Sequence, residues 1–150
     1  MTKNFKMIKF LLFIIIFLPA CVSNTNEFPD KDAQIWTGKI SGMATGDMTM
    51  KSWEINNSTG EHKVRSKISL DITQTSDGHT GTVQGTLTGS IKNGKFKGKF
   101  MGHAMVVQGD SHVSGSFIGN FSEKNGSGSW SLSADRNIVK YTGQWTLKKQ

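Results

Sequence analysis

Cysteine is nearly absent from this sequence: Cys21 is the only one in 150 residues. A lone thiol has no partner within the chain, so a disulfide framework is excluded. Proline is almost as scarce, with Pro19 and Pro29 both near the start and none beyond. No apolar run reaches the roughly 20 residues that a membrane-spanning helix needs; the longest, Phe10–Leu18, has nine. Catalytic signatures are missing too. There is no Gly-x-Ser-x-Gly elbow, and no pair of carboxylates has an obvious spacing. Glu54, Glu61, Asp71, Asp77, Asp110, Glu123 and Asp135 fall near expected turns or on the polar side of expected strands. No enzyme and no cofactor are expected. No basic run is interleaved with aromatics, so nucleic acid is not an expected partner.

The first twenty residues differ from all that follow. Lys3, Lys6 and Lys9 precede the apolar run, a charged n-region ahead of an h-region. The run ends in Leu18-Pro19-Ala20-Cys21, which resembles the lipobox of bacterial lipoproteins. The resemblance implies cleavage after Ala20, diacylation of the Cys21 thiol and acylation of the new amino terminus. Two or more acyl chains anchor stably where one is marginal. Val22, rather than Asp, follows the cysteine; by the sorting rule of such lipoproteins this favours the outer membrane. Residues 1–20 are therefore read as a signal peptide and 21–34 as a polar, lipidated tether. The signal carries three of the 18 basic residues, leaving 15 against 11 acidic, a mild net of +4.

From Ile35 to Gln150 the texture is uniform, and its period is two. Trp36, Gly38, Ile40 and Gly42 alternate with polar residues. So do Val64 to Ile72, Val83 to Ile91, Phe96 to Gly102, Val113 to Phe121, Gly128 to Ala134 and Val139 to Leu147. With a shorter stretch at Asp47–Trp53, this predicts about eight strands. Asp77-Gly78, Asn93-Gly94 and Asn125-Gly126 are expected hairpin turns, because both centres of a type I′ turn require positive φ. Gly109-Asp110 and Asp135-Arg136-Asn137 signal longer turns. The expected fold is all-β: an antiparallel meander of about eight strands, closed into a small up-and-down barrel of lipocalin-like architecture. A two-sheet sandwich is the alternative. Many of the 17 glycines fall on the apolar parity. They fit either the taper of a filled barrel or room for a ligand. A transmembrane barrel is disfavoured by glycine-rich strands without aromatic girdles and by the terminal Leu147-Lys-Lys-Gln.

Candidate binding residues are few. His62, His79 and His112 are expected at the surface near loop ends. Met101, His103 and Met105 share one strand face, and Met48 and Met50 form a second alternating pair with Trp53 nearby. Thioether and imidazole suit a soft ion such as Cu(I). Methionine more often fills gaps in packed surfaces, and no spacing rule joins the two sets. Trp36, Trp130 and Trp145 are expected in core layers. Trp36-Thr-Gly38 resembles the opening of lipocalin- and avidin-like barrels, which implies a small apolar ligand inside. Gly115-Ser-Phe-Ile-Gly119-Asn-Phe-Ser-Glu123-Lys-Asn-Gly126-Ser-Gly128-Ser-Trp130 is similar to a hairpin of surface-lipoprotein barrels related to transferrin-binding protein B and factor H-binding protein. Ser122 stands where that pattern has Ala, and no partner-binding residue carries over. Three readings follow: a non-enzymatic lipoprotein barrel that binds a macromolecule or is structural, a carrier of a small apolar ligand, and soft-metal binding. A partner-binding patch is expected at Ile118, Met101 and Met105 on the outer face.

Overall fold

A computed structural model describes residues 32–56, 62–106, 109–134 and 140–150. Cys21, the lipobox and the tether up to residue 31 lie outside the described residues, as does the Asp135–Asn137 turn. Eight strands follow in order: β1 Gln34–Gly42, β2 Ala44–Asn56, β3 His62–Gln74, β4 Thr80–Lys92, β5 Lys95–Val106, β6 Gly109–Phe121, β7 Asn125–Ala134 and β8 Lys140–Lys149. Each pairs antiparallel with the next, and β8 returns to β1. The expected meander is a closed barrel, not a sandwich. Every strand of the closure lies between Gln34 and Lys149.

The alternation decides which side chain goes where. On β5, Phe96, Gly98 and Phe100 are buried while Lys95, Lys97 and Lys99 are exposed, as a period of two requires of a strand with one dry face. β2 and β5 are longer than their sequence patterns indicated. Gly46 at one end of β2, and Ala104 and Val106 at one end of β5, continue the inward parity with small side chains.

The register fixes the barrel's dimensions. Stepping across pairs from Asp110 leads through Met105, Thr82, Asp71, Asp47, Lys39, Thr146 and Ser127 to Asn120. The path re-enters β6 ten residues along from its start. A shear of ten over eight strands gives a strand tilt of roughly 40° and a backbone radius of about 8 Å. An interior that narrow is just wide enough for side chains to fill it or for one small ligand.

The glycines show how it is filled. Across the ladder, Phe117 faces Gly98, Trp145 faces Gly128, Phe96 faces Gly119 and Trp130 faces Gly143. A methyl on Gly98 would sit 2.5 Å from the ring of Phe96, and one on Gly38 would strike the Thr146 carbonyl. The glycines leave space for neighbouring rings, and the rings occupy it. This is the packing reading, not the ligand reading. Trp36, Phe121, Phe96, Trp145, Phe117 and Phe100 form a continuous ring cluster, with successive centroids 5.1–6.5 Å apart.

Two of the three expected tight turns are corrected. Asn93 and Gly94 have φ of 52° and 74° and form the expected turn. Asn125 and Gly126 do not: they begin β7, and the loop is centred on Glu123 and Lys124, neither with positive φ. The Ser122 N–H donates to the Asn125 carbonyl, and the Asn125 N–H donates to Ser122 Oγ. Gly126 is buried against the rings of Phe121 and Trp145; it is small for packing, not for turning. At Asp77-Gly78 only Gly78 has positive φ, and the loop runs from Thr75 to Gly78 between Gln74 and His79. Thr75 is drawn out of the strand by bonds from its N–H and Oγ1 to the Met43 carbonyl.

Candidate binding surfaces

The barrel has two unlike ends. The near end holds the start of β1, the Asn93-Gly94 and Ser122–Asn125 turns and the end of β8. The far end holds the Gly42–Ala44 bend, the Thr75–His79 loop and the Val106–Gly109 connection.

At the near end a cup of about 880 Å³ opens to solvent. Trp36, Phe96, Phe121 and Met50 line its floor; Val64, Ile91, His62 and Gln34 line its walls. Ser52 and Ser66 face each other across β2 and β3 beneath it. Ser52 Oγ accepts from Trp36 Nε1 at 3.1 Å. Ser66 is wholly buried, and its Oγ has no hydrogen-bond partner. A buried hydroxyl without a partner costs stability and asks for an explanation. A smaller cup of about 410 Å³ at the far end is lined chiefly by aliphatic side chains, among them Ile40, Leu70, Val83, Val113 and Leu132. Between the cups the core is continuous.

The three core tryptophans lie where their parity placed them, each with its indole N–H satisfied. Trp130 Nε1 donates to the Ser41 and Gln144 carbonyls, and Trp145 Nε1 donates to the Ser129 carbonyl. Trp53 is buried on the opposite parity, outside the core cluster.

The structure does not bring the soft-metal candidates together. Met48 and Met50 point inward and are buried; Met101, His103 and Met105 point outward on β5. Parity within each set was legible, but the barrel wall separates the two. His103 instead lies opposite His112 on β6, with ring centroids 4.3 Å apart. Among the described residues, no three His, Cys, Asp or Glu side chains are grouped to hold a metal ion.

The expected apolar patch is also divided. Met101 (72% exposed), Ile118 (49%) and Met105 (44%) all face out. Ile118, however, pairs with Lys97, while Met101 pairs with Ser114 two rows away. Lysine side chains occupy the ground between them.

Charge is what the fold collects. β3 presents Lys63, Arg65 and Lys67 outward, and β5 presents Lys95, Lys97 and Lys99, all exposed. The register places Lys63, Ser90 and Lys97 in one row and Arg65, Thr88 and Lys99 in the next. Lys92, Lys124, Lys148 and Lys149 surround the same end. Sequence reading missed this surface because the two lysine-rich strands are separated by about thirty residues. The alternating cations of each were the available signal.

Acidic groups gather towards the far end. Asp47 and Asp71 are cross-strand neighbours, with Lys39 Nζ 3.0 Å from Asp47 and Thr82 Oγ1 donating to Asp71. Asp77 Oδ1 accepts from the His79 N–H, and Oδ2 lies 3.0 Å from His79 Nδ1. That backbone bond, with help from the imidazole, holds the Asp77 carboxyl below its usual range. Asp47 and Asp71 are exposed and paired with neighbours on the outer wall, while Asp77 and His79, with Asp110, line the mouth of the far cup.

Compared with known proteins, the chain matches no family model, no curated protein and no solved structure.

Proposed function

We propose that this chain is a lipid-anchored envelope lipoprotein, held at the outer membrane by acyl groups on Cys21. Its non-enzymatic barrel works by its outer surface, on a macromolecular partner or as a structural element. The observation that supports an outward-acting domain is the filled interior. Glycines lie opposite the inward rings, and the ring cluster occupies the space they leave. A carrier needs an interior pocket of about 300 Å³ or more; among the described residues, space of that size lies in the solvent-open cups at the two ends, and the core between them is filled.

Two measurements test this reading. In cells, Cys21→Ser should release the domain to the soluble fraction or leave it unprocessed; processed and membrane-bound Cys21→Ser protein would overturn the anchor. In solution, the neutral apolar dye N-phenyl-1-naphthylamine should not bind saturably. The second reading, a small apolar ligand in the near cup, is favoured by the unpartnered Ser66 hydroxyl beside an aromatic floor. It predicts saturable dye binding that Val64→Trp abolishes by filling the cup. That result would replace the outward-acting reading with the carrier.

A further inference from the structure

We infer that the cationic wall of β3–β5 at the near end is a docking surface for the anionic headgroups of the membrane to which the chain is tethered. The inference rests on the lipid-anchor reading above. Three observations carry it: the grouping of charge, the position of the tether, and the company the cations keep.

The cations are concentrated in adjacent rows. Lys97 and Lys99 lie in register with Lys63 and Arg65, separated only by Ser90 and Thr88 of β4. Such a cluster does not stabilise a barrel by itself, because like charges held close repel. It does suit a surface of opposite charge, where each lysine raises partitioning by about fivefold within a Debye length.

The tether puts this end next to the bilayer. Twelve residues separate Cys21 from Gln34, where β1 starts at the near end. As a coil they span about 20 Å, while the strands place the far end about 30 Å beyond the near one. The acidic end is thus held away from a surface it would be repelled by.

Met101 and Ile118 border the lysines with their side chains in solvent. Apolar side chains beside cations are the composition of surfaces that seat themselves in the headgroup layer. Isolated on the wall, they are too scattered for a protein interface of ordinary size.

The test uses the chain from residue 21 with Cys21→Ser, which keeps every strand of the barrel and has no acyl group. It is sedimented with vesicles of phosphatidylcholine alone or with 30% phosphatidylglycerol. Binding should be at least tenfold stronger with phosphatidylglycerol and should disappear at high salt. Lys97→Gln with Lys99→Gln should weaken it more than tenfold. Met101→Ser should weaken it two- to threefold. Lys39→Gln with Lys140→Gln, the same charge removed elsewhere, should leave it unchanged. Equal binding to both vesicles, or equal loss from both charge pairs, would overturn the inference. So would binding to soluble heparin with none to vesicles, which would assign the wall to a free polyanion. Because the assayed chain is unacylated, failure here is distinct from failure of the anchor, which is read from Cys21→Ser in cells.

Discussion

The two ends of this barrel are built from the same alternation yet differ in nearly everything else. The near end packs aromatic rings under a wide cup and carries the lysines. The far end packs aliphatic side chains under a small cup and carries the aspartates. A meander runs every strand from one end to the other, so a pattern repeated along the sequence becomes a polarity in space. Cations early in odd strands and late in even ones all arrive at one mouth. The comparison teaches that the cationic surface here is a product of register, not of any local motif.

The comparison can be tested in the core first. Phe96→Ala removes a ring that touches Phe121 and Trp145 at the near end, and should cost about 3–5 kcal/mol in urea denaturation. Leu132→Ala, beside the far cup, should cost about 2 kcal/mol, since fewer partners lose contact. Equal losses would mean that the ends are packed alike. Next come the glycines. Gly126→Ala should destabilise by about 1–3 kcal/mol through collision with Phe121. Gly78→Ala, in open space at φ 72°, should cost only the backbone strain, about 1–2 kcal/mol. Thermal melts of the two variants decide between them.

A finer contrast lies beneath the near cup. Ser52→Ala removes the acceptor of the Trp36 indole N–H and should destabilise by about 1–3 kcal/mol. Ser66→Ala removes a hydroxyl that has no partner, and should be neutral or stabilising. If both alanines destabilise equally, Ser66 has a role that its hydrogen bonding does not reveal. The smallest effect is expected at the far end. Asp77 titrates below its ordinary value because the folded loop donates to its carboxylate. Its contribution is therefore present above the unfolded-state pKa and lost as pH falls through the folded one. Asp77→Asn should melt slightly below the unaltered chain at neutral pH, and the gap should close in acid. A gap that widens in acid would contradict the assignment.

Much of the fold was legible because a strand with one dry face must alternate, and seven of the eight strands did so plainly. The tight turns were less so. Asn125-Gly126 carries the signature of a type I′ turn, but Gly126 is small because Phe121 and Trp145 lean on it, and that pressure comes from residues distant in sequence. The methionine sets were each legible as faces, while inside and outside became distinct only once β2 and β5 took their places in the wall. The lysine surface was least legible: Lys63 and Lys97 become neighbours only through the pairing of β3, β4 and β5.

The central claim, that the near end meets the membrane and the far end does not, can be read along a single strand. Thr88 and Thr80 both point outward on β4 and are exposed, Thr88 between Arg65 and Lys99, Thr80 at the far end. In the Cys21→Ser chain, Thr88→Cys or Thr80→Cys supplies the sole thiol for an environment-sensitive nitrobenzoxadiazole label. On adding vesicles with 30% phosphatidylglycerol, fluorescence at residue 88 should rise and blue-shift while that at residue 80 stays constant. Equal responses at both positions, or a response at residue 80 alone, would contradict the account.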